Sequence, residues 1–366
     1  MENLNHLIDL NDYPVKTWNQ IISLAQLIMK SPGTYKGACT GKIMGTLFYE
    51  PSTRTQMSFQ SAMLRLGGGI IGFDNPETSS TSKGETLGDT TKTISGYSHL
   101  IVMRHYLEGA AKAAALTADC PIINAGDGGH LHPTQTLTDL LTLTEEKSRL
   151  SDLNIGICGD LKYGRTVHSL VRAISHYKAN RFTFISTPEL CMPDYIKAEL
   201  IERGISFYEV PTLESALPQL DVLYMTRIQR ERFDKSDEGK KEYEKQKKIF
   251  TLDTKKLKTG KEDLIVMHPL PRVDEIAIEV DDDPRAVYFK QANYGMYVRM
   301  ALILTLLNHE HSELVTTDDS MAITNDFVSN AQCENLKCIT RYEKNLKNRL
   351  VKTADGLVCN YCDYCS

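Results

Sequence analysis

Over most of this chain, short apolar runs that end at glycine or proline alternate with segments whose apolar residues fall on one helical face. The runs are KIMGTLFYE, HLIVMRH, CPIINAG, LNIGICGD, RFTFIS, DVLYMTRI and DLIVMHPLP. After Thr55, residues Phe59, Ala62, Met63 and Leu66 stand at i, i+3, i+4 and i+7. Similar spacing recurs at Leu137, Leu140 and Leu141 after His132, and at Val167, Leu170, Val171 and Ile174 after Arg165. Strand, helix, strand repeated in this way predicts an α/β fold of doubly wound parallel sheets covered by helices on both faces. Ligands of such sheets bind at the carboxyl ends of strands, so the residues there are the functional candidates.

At 366 residues the chain is long enough for two or three domains. With 41% hydrophobic and 24% charged residues it reads as soluble and globular, and a net charge of -5 gives no reason to expect nucleic-acid binding. The start, MENLNHLIDLND, has no cationic stretch followed by an apolar one, and no apolar run approaches the roughly 20 residues of a membrane span. The expectation is a cytoplasmic protein. Two stretches break the alternation. Arg230–Lys248 mixes charges of both signs and reads as a solvated loop or exposed helix, and Asn308–Asp326 is polar and reads as a linker.

Cations and hydroxyls crowd the strand ends. KIMGTLFYE runs through Pro51 into a helix beginning near Ser52, a good N-cap. An anion there would meet free backbone N–H groups, the hydroxyls of Ser52, Thr53 and Thr55, and the Arg54 guanidinium. Alone, this stretch fits a capped helix with a solvated arginine equally well. The other strand ends shift the balance. They carry Arg104 and His105, then His132, Thr134 and Gln135, then Lys162 and Arg165, then Arg227 and Gln229, and last the Pro-Leu-Pro corner of MHPLPRVDE. No Ser-His-Asp order, HExxH, Walker loop or GxGxxG is present. What remains is transfer between two anionic small molecules, catalysed by charge and positioning.

FYEPSTRT, SKGET, IVMRH, HPTQTLTDL, GDLKYGRTVHSL, LYMTRIQ and HPLPRVDEI follow one another in an order and spacing that resembles the catalytic chain of the aspartate carbamoyltransferase family, over about residues 1–310. The resemblance implies conversion of carbamoyl phosphate and L-aspartate to N-carbamoyl-L-aspartate and phosphate, a step toward pyrimidines (UMP), with no catalytic cofactor. It implies a carbamoyl phosphate domain of residues 1–132 and 290–310 and an aspartate domain of residues 133–289. By it, Ser52, Thr53, Arg54 and Thr55 cradle carbamoyl phosphate. Thr55, Arg104 and His132 polarise the carbamoyl oxygen, and Gln135 with the carbonyls of Pro269 and Leu270 holds the carbamoyl nitrogen. Arg165 and Arg227 clamp the aspartate carboxylates beside Gln229, and Leu270-Pro271 is a cis peptide. Ser79 and Lys83 are implied to reach a neighbouring subunit's site in a catalytic homotrimer, with Ser80 and Ser82 as alternatives to Ser79.

The tail stands apart. Cys39, Cys120, Cys158 and Cys191 are scattered through apolar segments, whereas five cysteines crowd the last residues. Cys333 and Cys338 form C-x4-C, and Cys359 and Cys362 form C-x2-C, a pairing that points to a four-thiolate zinc site. Cys365 competes with Cys362 as fourth ligand, and the x2 spacing favours Cys362. Residues 327–366, after a linker of residues 311–326, resemble the zinc domain of the family's regulatory chain without its nucleotide-binding domain. The expected role is to brace catalytic chains into a higher assembly, with zinc supplying folding energy. Two rival readings are an ornithine-type carbamoyltransferase, disfavoured by an arginine clamp, and a catalytically silent scaffold, disfavoured by the presence of Arg54, Arg104, His132 and Arg165.

Overall fold

Uninterrupted aliphatic runs become central strands, because a strand flanked by two others and covered on both faces has no polar side to show. The computed structural model describes residues 6–228, 236–237, 240–241, 243–244, 250–307, 328, 331–343, 345–353 and 356–365. Its packing divides the chain into two units, Met1–Leu137 with Gly295–Ser366, and Thr138–Tyr294. Gln229, the linker of residues 311–326 and most of the charged stretch Arg230–Lys248 lie outside the described residues.

The first unit holds β1 (Ile43–Phe48), β2 (Gly69–Phe73), β3 (Leu100–His105) and β4 (Ile122–Asp127), all parallel in the order β2-β1-β3-β4. Around them run α1 (Val15–Lys30), α2 (Thr53–Arg65), α3 (Leu87–Ser95) and α4 (Ala110–Ala115). Phe59, Ala62, Met63 and Leu66 are all fully buried, as the spacing after Thr55 predicts. Helix α5 (Pro133–Lys147) leads along the chain into the second unit.

That unit contains β5 (Asn154–Cys158), β6 (Arg181–Ile185), β7 (Phe207–Val210), β8 (Val222–Met225) and β9 (Ile265–Met267), parallel in the order β7-β6-β5-β8-β9. Its helices include α6 (Arg165–Ile174), α7 (Asp194–Glu202), α8 (Leu213–Ala216) and α9 (Thr254–Leu257), and α10 (Tyr288–Leu307) carries the chain back. Two parallel α/β sheets are what the strand and helix alternation predicts. Within these two parallel sheets, the strands that no apolar run marks, β2 and β7, each sit at the edge of a sheet and are largely exposed or half-buried. An edge strand needs no continuous apolar run.

The cysteine-rich tail adds an antiparallel hairpin, β10 (Leu350–Thr353) with β11 (Gly356–Cys359). It packs into the first unit's own core. Cys333, Cys338, Ile339, Leu350, Tyr361 and Cys362 share one apolar cluster with the buried alanines of α4. Gly109, just before α4, has φ +81, and a Cβ there would come within 2.6 Å of the Tyr361 carbonyl oxygen. Only glycine permits that approach.

Candidate functional site

In the first unit, three neighbouring strands end side by side and deliver the anion-binding candidates. Phe48 on β1 is the register partner of Arg104 on β3, and Tyr49 N–H donates to the Arg104 carbonyl at 2.8 Å. Strand β1 therefore releases Glu50 and the Ser52–Thr55 turn beside the Arg104 side chain. One strand further on, His105 pairs with Asp127 at the end of β4, and the following loop carries His132 to the start of α5.

Ser52 takes the N-cap position of α2 but makes no side-chain capping bond. Its hydroxyl instead donates to Thr55 Oγ1 at 3.0 Å. The sequence expectation of a capping serine is met in position and not in bonding. The first-turn N–H groups are left for another acceptor, which an anion supplies. Thr53 and Arg54 are exposed and Thr55 is buried beneath them. Arg104 Nη1 donates to the Ala125 carbonyl at 3.2 Å and Nη2 pairs with Glu50 Oε2 at 3.0 Å. His132 is buried, with Thr134 Oγ1 3.4 Å from its Nδ1, and Gln135 is half-buried one residue further along α5.

His105 is the structural member of the group. Burial pushes it down to about 4, its Nδ1 accepts from Leu107 N–H at 2.9 Å, and its ring packs on Tyr49 and Tyr106.

The second unit repeats the arrangement with different residues. Strands β5, β8 and β9 are neighbours, with Cys158 opposite Met225 and Tyr224 opposite Met267. Their ends deliver Arg165 at the first turn of α6, Arg227 two residues beyond β8, and Pro269 and Leu270 just beyond β9. All four are half-buried. Gly159 (φ +122) makes the crowding of strand ends possible, because a Cβ there would lie 2.3 Å from the Thr226 carbonyl oxygen. The Leu270-Pro271 peptide is cis, as the resemblance implies. Leu270 N–H donates to His268 Nδ1 at 2.7 Å, and His268 Nε2 lies 2.8 Å from Glu275 Oε1. Gln291 accepts the His268 N–H at 2.9 Å and donates to Asp139 at 2.7 Å. This buried chain of bonds fixes the corner that carries the Pro269 and Leu270 carbonyls.

Ser79 and Lys83 lie on a pair of short 3-10 turns, Pro76–Thr78 and Ser80–Lys83. The Ser79 hydroxyl donates to the Pro76 carbonyl at 2.7 Å, and Lys83 is exposed.

In the tail, the Sγ atoms of Cys333, Cys338, Cys359 and Cys362 all lie within 4.8 Å of one another and are buried. Cys333 and Cys362 are 3.6 Å apart, and Cys338 and Cys359 are 3.7 Å apart. Those spacings are too long for disulfides. They match the about 3.8 Å between ligands of a tetrahedral ion held by four thiolates. Cys365 is exposed and outside the cluster, whereas Cys362 is one of its four members.

Several residues at the site have no local sequence signal beyond their type. Glu50 is a carboxylate among cations, and FYEPSTRT contains it in plain view. His130 bridges Asp127 Oδ2 at 3.0 Å and Asp363 Oδ2 at 2.9 Å. Burial alone would lower its pKa, but the two carboxylates outweigh that and push it up to about 10. Glu108 joins the tail by backbone bonds to Lys337 and Ile339, each 2.9 Å. Apart from the local His130–Asp127 contact, these pairings span long sequence separations, and no periodicity announces them.

Comparison with known proteins agrees with this geometry. Residues 5–145 match the family model described as aspartate/ornithine carbamoyltransferase, carbamoyl-P binding domain, and residues 151–306 match the aspartate/ornithine carbamoyltransferase, Asp/Orn binding domain. The aspartate carbamoyltransferase catalytic subunit of Clostridium perfringens is 57% identical over 304 residues, covering 82% of this chain and 97% of that relative. The corresponding subunit of Finegoldia magna is 56% identical over 302 residues, with 82% and 97% coverage. Among solved structures, the catalytic subunit of M. jannaschii aspartate transcarbamoylase superposes with a TM-score of 0.78 at 45% identity, covering 84% of this chain and 99% of that one. Trypanosoma cruzi aspartate transcarbamoylase, solved with carbamoyl phosphate and aspartate, gives 0.76 at 36% identity, covering 82% and 95%. The tail cysteines lie beyond the two matched regions.

Proposed function

The chain belongs to the aspartate/ornithine carbamoyltransferase family and is an aspartate carbamoyltransferase, and from that premise we propose how its residues divide the work. It moves the carbamoyl group of carbamoyl phosphate to the amine of L-aspartate, giving N-carbamoyl-L-aspartate and phosphate.

Carbamoyl phosphate belongs to the first unit. Its phosphate sits on the α2 N-terminus among Ser52, Thr53, Arg54 and Thr55, where the helix dipole and the guanidinium neutralise it. Thr55, Arg104 and His132 donate to the carbamoyl oxygen, and Gln135 orients the carbamoyl amide. Aspartate belongs to the second unit. Arg165 and Arg227 form forked bonds to its two carboxylates, with Gln229 and Lys83 as further contacts. The carbonyls of Pro269 and Leu270 accept from the carbamoyl nitrogen.

The aspartate amine, unprotonated, attacks the carbamoyl carbon. The new C–N bond pushes electrons onto the carbonyl oxygen, where Arg104, His132 and Thr55 stabilise the oxyanion. As the carbonyl re-forms, the bond to the phosphate oxygen breaks and phosphate departs with the electron pair, taking the amine's extra proton. No enzyme nucleophile takes part. Arg54 holds the charge that leaves.

The observation that carries this reading is the joint delivery of Ser52–Thr55, Arg104 and the His132 loop by the adjacent ends of β1, β3 and β4. The four buried thiolates fit zinc, which when bound would supply folding energy to the tail and no chemistry to the reaction. We read residues 327–366 as a zinc module like that of the family's regulatory chain. We read the enzyme as a cytoplasmic homotrimer in which Ser79 and Lys83 complete a neighbour's site; among the described residues no helix is long and apolar enough to cross a membrane.

Carbamoyl transfer to aspartate and to ornithine, assayed side by side, tests the assignment. The expected result is turnover with aspartate alone, and a preference for ornithine would overturn it.

A further inference from the structure

The segment that presents His132 is gripped from two sides, and one of the sides is the cysteine module of the same chain. From within, buried Asp127 accepts the N–H groups of Gly109 at 2.8 Å and Leu131 at 3.0 Å, and the Asn124 amide at 3.1 Å. From outside come two residues tied to the module. Glu108 is bonded to it through both its backbone groups and through Asn335 Nδ2 at 2.6 Å, and its other carboxylate oxygen accepts the Gly129 N–H at 3.2 Å. Asp363, one residue after a thiolate of the cluster, holds His130 Nε2 at 2.9 Å.

We propose that the cysteine module acts in cis as a brace for residues 127–132, with Glu108, His130 and Asp363 as positioning residues for His132. The inference rests on the reading of His132 as a donor to the carbamoyl oxygen.

Physical linkage is short at every step. Asp363 adopts a left-handed backbone (φ +55), a strained state for a residue with a Cβ, and its N–H bonds the Cys359 carbonyl at 2.9 Å. The turn between Cys359 and Asp363 is therefore what aims this carboxylate, and the turn is built by the thiolate cluster. His130 stands two residues before His132, so play in the first ring is passed on by a single intervening residue. A donor displaced by about 1 Å loses up to 10²-fold in rate. Glu343 extends the grip to a second site segment by accepting the Leu87 N–H at 3.1 Å at the start of α3, which follows the Lys83 turn.

The test uses the full-length chain with its metal. His130→Ala and Asp363→Asn are expected to lower kcat about tenfold and leave KM for aspartate unchanged, because the aspartate arginines belong to the other unit. In a His132→Ala background the same two changes should have no further effect on kcat. Hydrogen exchange at the Leu131 amide should quicken in Asp363→Asn and on zinc chelation. Full additivity of His130→Ala and His132→Ala, or unchanged exchange at Leu131, would overturn the brace. Unchanged turnover in His132→Ala itself would instead sink the reading of His132 and this inference with it.

Discussion

Glu50 and Arg104 form an ion pair across neighbouring strands, with Glu50 Oε2 3.0 Å from Arg104 Nη2. Arg104 Nη1 is meanwhile bonded to the Ala125 carbonyl, so the guanidinium is held from β1 on one side and β4 on the other. A donor fixed in advance has little reorganisation left to do when charge develops on the carbamoyl oxygen.

Removing that hold should cost rate. Glu50→Ala is expected to lower kcat roughly 10- to 100-fold, less than the roughly 10²–10³ of a lost oxyanion donor, because Arg104 itself stays in place. Glu50→Gln keeps an oxygen acceptor in place and should recover part of the loss. Steady-state kinetics beside thermal unfolding decides it, and wild-type turnover in Glu50→Ala would remove Glu50 from the site.

The proposed division assigns the charge of the two substrates to separate residues, and their loss should look different. Arg54 is exposed, so Arg54→Ala should fold normally and lower kcat by roughly 10²–10³. Arg227→Ala should raise KM for aspartate while leaving carbamoyl phosphate binding intact, and Arg227→Lys should rescue little, because an ammonium cannot make the forked bond. The opposite pattern, a KM effect from Arg54 and a pure kcat effect from Arg227, would reverse the assignment.

A pH dependence follows from Glu275. Burial would push its carboxyl up, but the bond with His268 and the N–H groups of Val273 and Asp274 outweigh it and hold the group below its usual 4.5. A carboxylate with a depressed folded pKa contributes stability above its unfolded value and loses it as the pH falls through the folded one. Glu275→Gln should therefore be less stable than wild type at pH 7, and the gap should narrow below about pH 4.5. Urea unfolding at both pH values measures it, and a gap independent of pH would rule out the ionised Glu275 carboxylate.

The centre of each sheet was legible in the sequence for the reason that makes it central. Runs such as LIVM and IGIC are buried on both faces, so nothing polar interrupts them. GIIGF and FYEV escaped because an edge strand tolerates glycine and polar residues. The same divide holds at the site. Arg54, Arg104, His132, Arg165 and Arg227 each stand where an apolar run stops, which a single pass along the chain detects. The partners Glu50, Glu108 and Asp363 act through pairings with residues on other elements, and His130 is set by carboxylates before and far after it. The contact of residue 130 with residue 363 has no local pattern, so only the folded chain discloses it. Cysteine spacing favoured Cys362 over Cys365, and in the folded chain Cys362 is buried in the cluster while Cys365 is exposed outside it.

That separation yields the last expectation. The four clustered thiols are buried in the core that the tail shares with α4, and their Sγ atoms all lie within 4.8 Å of one another. Four buried sulfurs this close together suit a cation, and zinc suits four sulfurs at these distances. Metal analysis of purified protein should find about one zinc per chain. Cys362→Ser should lose the metal and lower the unfolding temperature, since ion binding is folding energy for so short a segment. Cys365→Ser should keep both. Zinc retained by Cys362→Ser and lost by Cys365→Ser would show that the ligand set is wrong, and the absence of zinc from fresh wild-type protein would remove the metal altogether.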